Sequence, residues 1–171
     1  MAKESLYSPD HSHLLFYETF ADEQTVRRNS GIPTDVVFNK GKGIFNGTSS
    51  YITYSHIPYC NPATVRIILT HADSDDSQDW VIDFGDGLQY IDLQSGTVYR
   101  SIGDRYVNGV SATTYTMNEV TEIVVAGFVV QGDYFRIGSQ YDGTQFFEGS
   151  IDLIEIYNYE MSAEEIWNLY H

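Results

Sequence analysis

The chain has 171 residues, with 24 Asp and Glu against nine Lys and Arg, a formal net charge of −15 and 14 tyrosines. A field of that sign repels phosphate backbones and anionic lipid heads, which argues against nucleic acid as a partner. Its one cysteine, Cys60, can form no intrachain disulfide, and a chain of this length can bury a sufficient core without one.

The apolar pattern is mostly of period two, interrupted by Gly, Asn, Asp and Ser, which is the mark of short strands joined by tight turns. The first ten residues lack an apolar run of signal-peptide length, and no stretch approaches the roughly 18 apolar residues that span a bilayer. A soluble chain without a visible export signal is therefore expected. Residues 1–13 read as an N-terminal arm and 14–171 as one domain. His11 and His13 fall in that arm, where solvation is the simpler reading and a stray transition metal the alternative.

Strands are expected over Leu14–Phe20, Val36–Phe38, Ile44–Phe45 and Ser50–Tyr54. The Asn46-Gly47-Thr48 sequon between the last two reads as a turn rather than a glycan site. Thr64–Thr70 alternates, with Val65, Ile67 and Leu69 on one face and Arg66 and Thr70 on the other. Trp80–Phe84 and Leu88–Leu93 flank the turn Gly85-Asp86-Gly87, and Thr97–Ser101 and Arg105–Val107 follow. Glu119–Val130 is apolar on both faces, so it should be covered on both sides. Tyr134–Ile137 comes next. In Phe146–Tyr157 the apolar parity shifts between Leu153 and Ile154, which calls for a β-bulge or for cover on both faces.

One helix is predicted. Ser162 is its N-cap, Glu165 the reciprocal capping-box partner, and Met161 with Ile166 a hydrophobic staple. Ten to twelve short strands and one C-terminal helix define an all-β sandwich or barrel.

The stretch Phe147–Asn158 followed by Met161–Ile166 resembles the C-terminal signature of laminin-G-like, concanavalin A-like lectin/glucanase domains, a strand of the form G-x-I-D-x-[VI]-x-I-Y-N leading into an S-A-E-E-I helix. Gly43–Ile52, Tyr106–Val110 and Phe135–Ser139 are similar to further motifs of that family in the same order. The resemblance covers about residues 14–170. It implies a two-sheet antiparallel jelly-roll β-sandwich with a short C-terminal α-helix. It does not fix an activity, since the fold carries sugar-binding modules, adhesion modules, virion proteins and glycoside hydrolases.

Hydrolase relatives carry carboxylates as E-x-D-x-E or E-x-D-x-x-E on one strand. The nearest match is Ser150-x-Asp152-x-x-Glu155, in which the first carboxylate is a serine. Glu148 is no substitute, since four strand residues span about 13 Å, more than either glycosidase geometry uses. The expected function is therefore non-catalytic: a virion surface, decoration or adhesion protein with a lectin-like fold, or alternatively a cellular carbohydrate-binding module. Its place would be a virion or extracellular surface, as a monomer, a homo-oligomer or a virion component.

Sugar binding needs aromatic platforms beside polar groups. The candidates are Trp80, Tyr90, Tyr99, Tyr106, Tyr134 and Tyr141. The acidic loop with Asp73, Asp75, Asp76 and Asp79 is the metal candidate, for calcium, which favours clustered oxygen ligands. A solvated loop needing no cofactor is the simpler reading. An EF-hand is excluded, because Gln78 stands where its glycine would be and Phe84 where its closing Glu would be.

Overall fold

The computed structural model describes residues 11–72, 77–85, 87–131 and 134–171. These form β1 (Leu14–Glu18), α1 (Glu23–Arg28), β2 (Gly31–Thr34), β3 (Val37–Asn39), β4 (Lys42–Asn46), β5 (Tyr51–Tyr54) and β6 (Cys60–His71). Then come β7 (Asp79–Asp83), β8 (Tyr90–Gln94), β9 (Thr97–Arg100), β10 (Asp104–Val107) and β11 (Val110–Ser111). The chain ends in β12 (Val120–Val130), β13 (Phe135–Ile137), β14 (Glu148–Tyr157) and α2 (Ala163–Tyr170).

Two antiparallel sheets make the sandwich. Sheet I runs β11-β10-β12-β6-β14-β4-β3, with β1 also paired to β14. Sheet II runs β2-β5-β13-β7-β8-β9. Their inner faces share one core, to which β6 gives Val65, Ile67 and Leu69, β8 gives Ile91 and Leu93, and β13 gives Phe135 and Ile137. Each such side chain contributes roughly 1.5–3 kcal/mol when fully buried.

Both long strands with mixed parity carry bulges. On β14 the register with β6 shifts between Ile151 and Leu153, so Ile151, Ile154 and Ile156 all reach the core. On β12 it shifts around Gly127, whose φ of +72° suits glycine. Ile123, Val125, Phe128 and Val130 therefore face the core, while Val124 and Ala126 face outward under α2. Both faces of β12 are covered, as its sequence requires, but Val124 and Ala126 do not share a face with Phe128 and Val130.

The capping box forms on α2: the Glu165 amide donates to Ser162 Oγ at 3.3 Å, and the Ser162 amide to Glu165 Oε2 at 2.8 Å. Met161 and Ile166 sit in one outer cluster with Tyr157. The first helix, α1, was not expected from the pattern. Asp22 caps it by accepting from the Thr25 amide at 2.6 Å, and Glu23 pairs with Arg27 one turn on. Buried Glu18 joins this corner to the core, accepting from the Phe20 amide, Asn29 Nδ2 and the Tyr54 hydroxyl.

One smaller expectation changes. Of the arm, residues 1–10 lie outside the described residues, but His13 is docked, hydrogen-bonded to Asn158 Oδ1 at 2.8 Å and packed on Tyr159. Cys60 is half-buried; its thiol donates to the Pro62 carbonyl, and desolvation raises its pKa. The Asn46 turn is as read, with Asn46 Oδ1 accepting from the Thr48, Ser49 and Ser50 amides. No helix among the described residues is long and apolar enough to cross a membrane.

Candidate ligand-binding face

Strand pairing sets which side chains stand on the outer face of sheet II. Trp80 on β7 is opposite Asp92 on β8, and Asp92 is opposite Tyr99 on β9. In the row above, Arg136 on β13 is opposite Asp83, and Asp83 is opposite Tyr90. A bulge at Val81 turns both Val81 and Ile82 into the core, which leaves Trp80 and Asp83 on the same outer face. Tyr134 precedes inward Phe135 and so shares the face of Arg136. Its carbonyl lies against Gly85, and its ring is 6.0 Å from that of Tyr141.

Five of the six aromatic candidates thus share one face: Trp80, Tyr90, Tyr99, Tyr134 and Tyr141. From the Trp80 row to the Tyr134 row is four ladder positions, roughly 13 Å. The sixth candidate is elsewhere. Tyr106 is on β10 of sheet I, packed beneath α2 beside Val124 and Ala126, because that side of β10 faces the helix.

The centre of the face is chemically unusual. Trp80 is 5% exposed, with its ring 4.4 Å from that of Tyr90, and its indole Nε1 has no hydrogen-bond partner among the described residues. Asp92 beside it is fully buried. The half-buried Gln78 side chain donates to its Oδ2, but Oδ1 has no partner. Burial pushes the Asp92 carboxyl up to about 6, against the smaller opposing effect of the Gln78 bond. Arg136 is the third unsatisfied group. Its guanidinium lies 4.6 Å from the Tyr51 ring centre and donates to the Gln140 carbonyl, while its Nε is unbonded. Unpaired buried polar atoms cost about 1–3 kcal/mol each, so three on one face call for an explanation.

Asp83 has an organising task. Its Oδ1 accepts from the Gly85 and Gly87 amides and its Oδ2 from the Tyr141 amide at 2.7 Å, which ties both loops to the end of the face. Asp92, Gln78, Arg136 and Tyr51 were not singled out in the sequence. The alternation Tyr90-x-Asp92 does carry the signal, since it sets both residues on one face.

Asp73, Asp75 and Asp76 lie outside the described residues. Asp79 is turned inward and engaged by protein donors: Ser77 Oγ on Oδ1 at 3.0 Å, the Glu148 amide on Oδ2 at 2.8 Å, and His71 Nε2 3.0 Å from Oδ2. Its carboxylate closes the loop instead of offering an open ligand. No group of three or more His, Cys, Asp or Glu among the described residues could hold a metal ion.

Nor do the carboxylates of β14 form a catalytic pair. Lys42 Nζ is 2.9 Å from Asp152. Glu155 and Glu122 are bridged by Arg66, each at 2.8 Å, on the outer face of sheet I. Clefts of about 580, 340 and 310 Å³ open elsewhere, and none is lined by Trp80, Asp92 or Arg136.

The family model of the concanavalin A-like lectin/glucanases superfamily matches residues 92–167, from β8 to α2. None of the curated proteins compared matches the sequence. Among solved structures, domain 4 of an extracellular arabinanase from Geobacillus stearothermophilus, in complex with arabinotriose, has a TM-score of 0.59 at 16% identity, covering 92% of this chain and 98% of that one. A mutant Trypanosoma rangeli sialidase displaying trans-sialidase activity has a TM-score of 0.65 at 11% identity, covering 96% of this chain and 33% of that one. The receptor binding domain of the botulinum neurotoxin C/D mosaic serotype has a TM-score of 0.59 at 10% identity, covering 94% and 51%. The chain thus spans a third of the sialidase and about half of the toxin fragment. At these identities the likeness is one of fold.

Proposed function

We propose that the protein is a non-catalytic carbohydrate-binding module that takes its ligand on the outer face of sheet II. The observation that carries this reading is five aromatic side chains on one face, three of them (Trp80, Tyr90 and Tyr99) around Asp92, whose Oδ1 has no partner among the described residues. Tyr90 and Tyr99 are diagonal neighbours across β8 and β9, roughly 7–8 Å apart, and can flank a sugar ring. Trp80 Nε1 offers a donor and Asp92 Oδ1 an acceptor, the complement of a sugar hydroxyl. The arabinanase domain solved with arabinotriose, matched over nearly its whole length, supports the reading by analogy of fold. The ties of Asp152 to Lys42 and of Glu155 to Arg66 support a module without hydrolytic chemistry.

Such a module works at a surface outside the cell or on a virion. A virion decoration role would use the same sandwich with a protein partner in place of the sugar.

A glycan-array screen, followed by calorimetry on the hits, tests the proposal. The wild type should bind a defined glycan set, and Tyr99→Ala should lose about 1–3 kcal/mol of affinity, a value borrowed from stacking of flat bases on aromatic side chains. An empty screen would sink the sugar reading and turn attention to a protein partner in an assembly.

A further inference from the structure

We infer that the face of sheet II selects neutral, hydroxyl-bearing glycans and rejects anionic ones, through Asp92 acting as an uncompensated acceptor at its centre. The inference rests on the carbohydrate reading above and specifies the class of ligand.

The first observation is the immediate environment of Asp92. Its neighbours across the ladder are Trp80 and Tyr99, its neighbour along the face is Tyr90, and the side chain bonded to it is Gln78. All four are uncharged. The nearby cations are Arg100, which is engaged elsewhere, and Arg136 in the next row, whose Nε is unbonded. Arg100 on β9 is opposite Ile91 and donates to the Gly103 carbonyl at 2.8 Å. Arg136 rests on Tyr51, and its cross-strand partner is Asp83, so that row sums to no net charge. A ligand carboxylate brought to the centre would meet Asp92 without a neutralising cation, in a chain whose net charge is already −15.

The second observation is independent of charge. Trp80 Nε1 is a donor without an acceptor among the described residues, Asp92 Oδ1 is an acceptor without a donor, and the two residues are paired across the ladder. A hydroxyl satisfies both, accepting from the indole and donating to the carboxylate. A carboxylate could accept from the indole but has nothing to give Asp92. An ammonium group could donate to Asp92 but would leave the indole unsatisfied. Among these groups only the hydroxyl completes the pair.

Asp92 Oδ1 and Trp80 Nε1 are both buried, and half-buried Gln78 is bonded to Asp92 Oδ2, so a hydroxyl reaches the pair when side chains here, Gln78 among them, move aside. Gln78→Ala should therefore hold the preference for neutral glycans and raise their association rate.

The test is an array carrying neutral oligosaccharides together with their uronate and sialylated counterparts. It is probed with the wild type, Asp92→Asn, and Glu119→Gln as a charge-matched control at an exposed position just before β12. The expected hits are neutral glycans, with each anionic counterpart at least tenfold weaker. Asp92→Asn should weaken the neutral hits about tenfold and narrow the gap to their anionic counterparts, while Glu119→Gln changes neither. Hits that are sialylated or uronate-bearing, or an Asp92→Asn profile matching the wild type, would overturn the selectivity and leave sugar binding standing. An array with no hits would overturn both.

Discussion

The two outer faces of the sandwich solve the same problem in opposite ways. Both carry carboxylates and tyrosines out of water. On sheet I, Arg66 bridges Glu122 and Glu155, and α2 closes over Tyr157, Val124 and Ala126. On sheet II, Asp92 is as deeply buried but among the described residues has only Gln78 as side-chain partner, and none of the described helices covers the aromatic residues around it. The first face is charge-paired and covered by α2, with Glu122 Oε1 and the Tyr157 hydroxyl left without a partner among the described residues. The second has, among the described residues, no cation bridging Asp92 and sets its unsatisfied acceptor and donor beside exposed rings.

Substitutions can break this contrast, beginning with the covered face. Arg66→Met strands two carboxylates that are 6% and 4% exposed. Removing one partner from a buried ion pair costs about 3–5 kcal/mol, which urea denaturation would read as a large fall in midpoint. A loss below about 1 kcal/mol would mean that water already reaches the pair.

Asp92→Asn should act in the other direction. The folded carboxyl titrates near 6, above its ordinary value of 3.8, so the folded state holds the proton more tightly than the unfolded one. The stabilisation from that proton is complete below about pH 4 and is lost as pH rises through 6. Asparagine carries no charge at any pH. The variant should melt higher than the wild type at pH 7.5, with the gap closing by pH 4, measured as paired thermal melts. A gap that is constant with pH would contradict the buried, uncompensated carboxylate.

Ser162→Ala removes the cap of α2 and should cost about 1 kcal/mol. Its effect belongs to the covered face alone, so glycan affinity should stay at the wild-type value while the melting temperature falls. The smallest effect is expected from EDTA. With Asp79 bonded to Ser77, Glu148 and His71, its removal of divalent ions should leave the melting temperature unchanged within about a degree.

Much of this architecture was legible in the sequence, because alternation and capping are local rules. Val65, Ile67 and Leu69 announced the core face of β6, and Ser162 with Glu165 announced α2. The parity break in β14 announced that something irregular must occur, and a bulge supplies it, whereas the bulge at Gly127 of β12 was not read from its apolar pattern. What stayed hidden depends on partners distant in sequence. α1 is a short helix with one buried residue, Val26, so its periodicity carries little signal. Tyr106 reads like the other tyrosines until the pairing of β10 with β12 sets it beneath α2. Asp92 reads as an ordinary strand residue, because its uncharged surroundings, Trp80 on β7, Tyr99 on β9 and Gln78, come together only through strand pairing. Asp79 reads as one more acid of its loop, because His71 and Glu148, which engage it, come from β6 and β14.

The sequence has two tryptophans, and each reports on one face: Trp80 lies at the centre of sheet II, and Trp167 is on α2 over sheet I. The most direct test of the binding face is to follow both indole N–H resonances by NMR while a neutral glycan identified on the array is titrated in. The account predicts that the Trp80 signal moves to saturation and that of Trp167 stays fixed. Movement of Trp167 alone, or of neither while the glycan is bound, would contradict the assignment of the binding face to sheet II.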